Sequence, residues 1–320
     1  MKRRDFSLGV LAALAAAQFP LAAQAQAIGT LKMMIPANPG GGWDQTGRAL
    51  GAAMQAAKVA QSVQFENKGG AAGTIGLAQF VNSAKGDPNA VMMGGMVMVG
   101  GIVLNKSPVD LTMVTPIARL TSEYLAVVVP ASSPHKTMGD LVKAFRADPG
   151  KVSWNGGSAG GSDHILVGLI ARAVGVEPGK INYIASKGGG DQVANIAGGH
   201  VTAGVAGLGE FAEHIKGGRM RALAVSGPGK IDNIPSLKEQ GIDVELGNWR
   251  GVFGAPGITP AQRDALVASV KTATESKEWK DTLAKMGWEG VFLGGDAYKA
   301  FLAEDTRRIS GILDSLGLRK

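Results

Sequence analysis

Short apolar runs that each end in a cluster of glycines, with a helical pattern starting directly after, recur along this chain and leave few folds open to it. Residues 31–35 run through Pro36 into Asn38-Pro39-Gly40-Gly41-Gly42-Trp43-Asp44, and a helical pattern carrying Arg48, Leu50 and Met54 begins near Trp43 or Asp44. Residues 63–66 lead into Asn67-Lys68-Gly69-Gly70-Ala71-Ala72-Gly73 and a helix marked by Ile75, Leu77, Phe80 and Val81. Residues 152–155 lead into Gly156-Gly157-Ser158-Ala159-Gly160-Gly161-Ser162 and a helix over 163–174; residues 181–184 lead into Ser186-Lys187-Gly188-Gly189-Gly190-Asp191 and another. Strand, glycine turn, helix leaves free backbone N–H groups at a helix N-terminus, where an anion can sit. Glycine there lets a ligand approach the backbone closely. Strands alternating with helices predict an α/β sheet, whose ligands bind at the carboxyl ends of the strands.

Further strands are expected over 91–93, 115–120, 125–129 (closed by Pro130), 201–205 and 221–225. Thr137 is expected to cap a helix over 137–145, and Thr259, followed by Pro260, one over 259–272. A last helix carries Phe301, Ile309, Ile312, Leu313 and Leu316 at helical spacing. The order of elements reads as two α/β units, with residues 252–254 leading back to the first. Two units facing each other make a cleft, a preferred place for a small-molecule site.

The 320 residues suffice for one large or two medium domains. Glycine, at 48 residues, is about twice its average usage. A chain this rich in glycine lines its site with backbone as much as with side chains. The absence of cysteine excludes a disulfide, a thiol nucleophile and a cysteine zinc site. The net charge of +7 is spread along the chain without a basic run or interleaved aromatics, so no nucleic-acid partner is expected.

Residues 1–27 read as a signal peptide: Lys2-Arg3-Arg4, an apolar stretch over 8–17, then Ala23-Gln24-Ala25 or Ala25-Gln26-Ala27 as the cleavage site. Arg3-Arg4-Asp5-Phe6 also resembles a twin-arginine signal. The mature protein is therefore expected in the periplasm.

Enzyme readings find little to stand on. No G-x-x-x-x-G-K-[ST] phosphate loop occurs, the glycines of 69–76 mimic only part of a dinucleotide fingerprint, and the four histidines lack metal-ligand spacing. No nucleophile elbow is expected either. No cofactor and no metal is expected.

Taken together, the signal peptide, Pro36 with the 38–44 loop, Glu66-Asn67 before the 69–73 loop, and Gly156-Gly157-Ser158 through His164 carry a resemblance. Tyr183 to Gly190, Gly198-Gly199-His200-Val201, Leu223-Ala224-Val225, Ile234-Pro235-Ser236 and Glu239-Gln240-Gly241 extend it in order along the mature chain. The chain resembles the extracytoplasmic solute receptors of tripartite tricarboxylate transporters, the Bug/TctC family. That resemblance implies a two-domain periplasmic binding protein fold, type II-like, with a hinged interdomain cleft. One domain would be 28–122 plus 247–320 and the other 123–246, with crossings near 122–125 and 247–252. It also implies capture of a small organic acid, often a di- or tricarboxylate, for delivery to the permease subunits in the membrane, by a receptor expected to be monomeric.

A carboxylate only accepts hydrogen bonds and wants several convergent donors. Asn38, Pro39, Gly40, Gly41, Gly42 and Trp43 are the candidates from the first unit. Ser158, Ala159, Gly160, Ser162 and His164, then Ser186, Lys187, Gly188, Gly189 and Asp191, are those from the second. Asp44 and Asp163 are expected to cap their helices. His164 is either a donor to ligand or a satisfied histidine of the first helical turn. Lys187 is either a ligand contact or a solvated cation. Asp191 is either a cap or an acceptor for a ligand hydroxyl. Trp43 and Trp154 wall the cleft or belong to the core, and in the first case make an aromatic acid a candidate. Arg119, Arg250 or Lys187 would meet a second carboxylate. Glu210 and His214, at i and i+4, are expected to be an exposed helical pair rather than an acid–base couple. A ligand sensor, or an exported α/β enzyme, are the alternative functions.

Overall fold

The computed structural model describes residues 27–186 and 188–318. The expected signal peptide, apart from Ala27, and Lys187 lie outside the described residues. β1 (Ile28–Ile35), α1 (Gly42–Ala56), β2 (Ala60–Asn67), α2 (Thr74–Ser83), β3 (Ala90–Gly95) and α3 (Met96–Leu104) come first. β4 (Thr115–Pro130) is followed by α4 (Met138–Ala147), β5 (Ser153–Gly156), α5 (Ser162–Ala173), β6 (Asn182–Ala185) and α6 (Gly189–Ala197). β7 (Ala203–Gly207), α7 (Leu208–Lys216) and β8 (Met220–Val225) precede β9 (Gly247–Gly254), α8 (Pro260–Glu275), α9 (Lys277–Met286), β10 (Glu289–Gly294) and α10 (Gly295–Ser315).

The strands form one sheet in the order β2-β1-β3-β9-β4-β7-β5-β6, with β8 and β10 also on β4. β1 pairs in parallel with β2 and β3, and β5 with β6 and β7, as strand–helix–strand units require. The joint between the two parallel groups is antiparallel and lies within one strand. Residues 115–124 of β4 pair with β9, and 125–128 pair with β7. Each half carries its own helices, so the molecule has two α/β lobes that share β4.

β4 corrects the expectation of separate strands over 115–120 and 125–129. The polar stretch Thr121-Ser122-Glu123-Tyr124 reads as a break in the sequence, yet Thr121 and Glu123 are buried in the strand. Glu123 is tolerated because β9 supplies partners: Arg250 and Asn248 both donate to its Oε1. Residues 252–254, expected to lead back to the first unit, are the end of β9, which begins at Gly247.

Thr137 and Thr259 cap α4 and α8 as expected, each in a capping box, with Asp140 and Gln262 reaching back. Asp44, Asp163 and Asp191 do not occupy the capping position. The N-caps of α1, α5 and α6 are Gly41, Gly161 and Gly188, without a side-chain cap bond. Asp44 and Asp163 sit inside the first turn and reach back instead to the N–H groups of Gly40 and Gly157, each tightening its glycine loop.

The core spans both lobes. Trp154 is fully buried and packs edge-to-face on Phe145, ring centroids 5.3 Å apart, so it belongs to the core and not to the cleft. α3, apolar on all sides and invisible to periodicity, packs between the lobes. A Cβ on Gly100 would overlap the carbonyl of Gly160, so this contact between α3 and the 156–162 loop needs a glycine.

Candidate ligand-binding cleft

A cavity of about 170 Å³ lies between the lobes. Three helices point their N-termini at it. Gly41, Gly42 and Trp43 bring α1, Gly161 and Ser162 bring α5, and Gly188 and Gly189 bring α6. First-turn N–H groups have no partner inside their own helix, so the three ends present a concentration of donors and positive dipole to one space.

Several candidate residues therefore meet. Asn38, Gly41, Gly42 and Trp43 line the cavity from the first lobe; Ser158, Ser162, Ser186, Gly188 and Gly189 line it from the second. Pro39, Gly40, Ala159, Gly160, His164 and Asp191 do not line it. Pro39 and Gly40 lie on the exposed outer side of their loop, and Asp191 is solvent-exposed. His164 is turned away: its Nδ1 accepts from the Gly160 N–H, and its ring stacks on Tyr183 at 4.2 Å. Burial pushes its pKa down to about 4, so the imidazole is neutral.

The loops are braced from behind. Burial alone would raise Asp44, but hydrogen bonds from Arg48, Gly40 and Asn67 outweigh it and hold the carboxyl below its ordinary value. Asp163, which does line the cavity, accepts from Gly157 N–H at 2.8 Å and Ser162 Oγ at 3.0 Å. Burial nevertheless pushes its pKa up to about 6. Asn155, fully buried, donates to Ser186 Oγ at 2.9 Å and aims that hydroxyl. Ala71 and Ala72 both adopt left-handed backbone, φ 46° and 54°, where the 69–73 loop forms another wall. Each such non-glycine residue costs on the order of 1–3 kcal/mol, which the surrounding packing must hold in place.

The cavity floor is a group the sequence did not assemble. Arg250, 2% exposed, donates to Thr46 Oγ1 at 3.0 Å and forms a buried ion pair with Glu123. Its guanidinium lies 5.0 Å from the Trp288 ring and 3.9 Å from a Glu210 carboxylate oxygen. The guanidinium also fills the space a Cβ on Gly42 would take, so this glycine is required by packing as well as by ligand approach. Glu210 corrects the expectation of an exposed pair with His214. It lines the cavity with a side chain only 21% exposed, and burial, with Glu123 nearby, pushes its pKa up to about 8. The face of α7 that turns inward leaves no mark in the sequence. Arg119 is not at the cavity; it lies over the Phe301 ring at 4.4 Å and bonds the Val291 carbonyl.

Gly156-Gly157-Ser158-Ala159-Gly160 does spell the G-x-S-x-G of a nucleophile elbow, between β5 and α5, contrary to the expectation of none. The pattern lacks its chemistry. The nearby imidazole, His164, is committed to Gly160 and Tyr183, and no imidazole hydrogen-bonds Ser158 among the described residues. No group of side chains suited to a metal ion occurs among the described residues, and none of their helices is long and apolar enough to cross a membrane.

Known proteins share this architecture. Solved structures include the periplasmic binding protein BugD, at TM-score 0.82 and 21% identity over 91% of this chain and 98% of that one. MatC from Rhodopseudomonas palustris with bound malate matches at TM-score 0.78 and 19% identity, over 89% and 98%. These likenesses establish the two-domain periplasmic binding protein fold. Protein BugT of Bordetella pertussis is 25% identical over 319 residues, 98% of this chain and 97% of its own. The model of the tripartite tricarboxylate transporter family receptor matches residues 48–318, and the chain belongs to that receptor family.

Proposed function

We propose that this chain is exported to the periplasm, captures a small organic acid between its lobes, and hands it to the permease subunits of a tripartite tricarboxylate transporter. The convergence of three helix N-termini on one cavity carries the reading. A carboxylate placed there would accept hydrogen bonds from loops of both lobes, and each helix dipole would add roughly 0.3–1 kcal/mol. Contacts with both lobes favour the closed arrangement, which alone makes both sets. The lobes in this reading are 28–122 plus 247–320, and 123–246, with the crossings of β4 and β9 as the hinge. Asn38 and Ser158 supply side-chain donors beside the main chain, while the hydroxyls of Ser162 and Ser186 already donate to Asp163 and Asn155. The family's receptor role and the malate bound to MatC support an organic acid as ligand.

Thermal denaturation of the mature chain against organic acids, amino acids, sugars and nucleotides tests this. An acid at 100 times its dissociation constant stabilises by about 2.7 kcal/mol, an easily read shift. Shifts confined to sugars or nucleotides would overturn the carboxylate assignment, and consumption of the ligand on incubation would favour an enzyme.

A further inference from the structure

α3 has a cavity on each side of it. Val97 lines the interlobe cleft, whereas Val99 and Ile102 line a second cavity of about 660 Å³. The turn over 110–114, the start of β4, and α10 enclose it further. Every residue around this second cavity belongs to the first lobe, and none of them lines the cleft. Its size is that of a small-molecule site.

The walls are mainly hydrocarbon. Val99, Val114 and Leu302 are its most buried members, 2%, 5% and 7% exposed, and Ile102 and Leu111 are half-buried beside them. No aromatic ring lines the cavity among the described residues. Three charged residues do: Asp110, Arg263 and Lys299. Two of them are committed within the protein. Asp110 accepts from the Thr112 N–H at 2.8 Å and caps its own turn. Arg263 is held by Asp264 and Asp296, each at 2.8 Å. Lys299, exposed on α10, makes no ion pair and no hydrogen bond among the described residues. The uncommitted charge beside this apolar space is therefore positive.

We propose that the cavity is a second ligand site, for an aliphatic monocarboxylate whose chain lies against Val99, Val114 and Leu302 and whose carboxylate meets Lys299. Charge complementarity selects the head group, because the lysine ammonium has three donors to offer and a flexible stem on which to bring them. The walls select the tail. Hydroxyls or a second carboxylate would be buried among valine and leucine side chains without donors, which is costly. A chain suits the space better than a ring, since no aromatic face is present to stack on. The site is contained in one lobe, so filling it needs no closure of the cleft and does not depend on what the cleft binds.

The test is calorimetric titration of the mature chain with butanoate, hexanoate and octanoate, and with octanol and octylamine as controls of equal length. Each added methylene should tighten binding about three- to fourfold, as one buried CH₂ does. Octanol, lacking the charge-assisted contact, should bind about tenfold weaker than octanoate, and octylamine weaker still. Lys299→Met should weaken octanoate about tenfold and leave octanol unchanged. Ala303→Trp, which fills the space from an exposed position of α10, should abolish octanoate binding while the thermal transition of a folded protein is kept. No binding of octanoate, octylamine binding as tightly as octanoate, or octanoate binding that neither variant changes would overturn the proposal, the last by placing the acid elsewhere on the molecule. Failure of the carboxylate reading of the cleft would leave these outcomes untouched.

Discussion

Glu210→Gln should make the ligand-free protein more stable, and the size of the gain can be worked from the cleft. The Glu210 carboxyl is pushed from its ordinary 4.5 to about 8, because it is buried close to Glu123 and Asp163. An acid whose folded pKa is raised loses stability steadily with pH over the interval in which the unfolded chain has lost the proton and the folded chain still holds it, and the full loss is present above the folded pKa. That cost begins at about pH 4.5, grows with pH, and stops growing near 8. Each pH unit in between costs about 1.4 kcal/mol, so the interval from 4.5 to 7 amounts to roughly 3 kcal/mol. Arg250 at 3.9 Å and the residual exposure of the side chain relieve part of this. Glutamine keeps the shape and has no proton to lose, so Glu210→Gln should gain about 1–3 kcal/mol at pH 7. In a chain this size that raises the Tm by about 2–6 °C. Urea unfolding of both proteins at a series of pH values is the assay. The gain should be absent at pH 4.5, grow up to pH 8 and then level off. A variant that is less stable at pH 7.5, or one whose gain is the same at pH 4.5 and 8, would refute the electrostatic account of the floor.

Other consequences are equally measurable. Arg250→Met leaves the Glu123 carboxylate buried without its cation and should cost about 3–5 kcal/mol in urea unfolding, most of it recovered in the double variant with Glu123→Leu. Gly42→Ala must displace the Arg250 guanidinium and should cost about 1–3 kcal/mol while weakening ligand binding; a fully stable, fully binding variant would show that the guanidinium moves freely. His164, with its pKa pushed down to about 4, should show a flat imidazole proton shift in NMR from pH 5.5 to 8, and a midpoint above 6 would contradict its buried, stacked setting.

Local chemistry made much of this legible from sequence. Thr137 and Thr259 announce their helices because a capping hydroxyl acts within three residues. The glycine loops announce cavity walls because free backbone at a helix start is itself a local property. The floor was hidden for the opposite reason. Glu123 reads as a break in β4 until Arg250, distant in sequence, arrives on β9 and makes its burial tolerable. Asn248 carries no signal of its own, since its role depends on which strand pairs beside it. Glu210 and His214 suggest a surface pair by spacing, and only the packing of α7 turns one of them inward. α3 escaped notice because a helix apolar on every side has no period to detect.

The guanidinium that occupies the missing Cβ at Gly42 ties two distant positions into one unit of inheritance. No larger residue can enter at 42 while an arginine stands at 250, and no smaller one can enter at 250 without stranding Glu123. Neither site can drift alone, so change at the cleft floor must come in pairs or triplets. Wall residues such as Ser158, whose side chain locks no glycine in place, can vary one at a time. Selection for a new ligand would therefore act on the walls first, and leave the floor as the slow-changing part of the receptor.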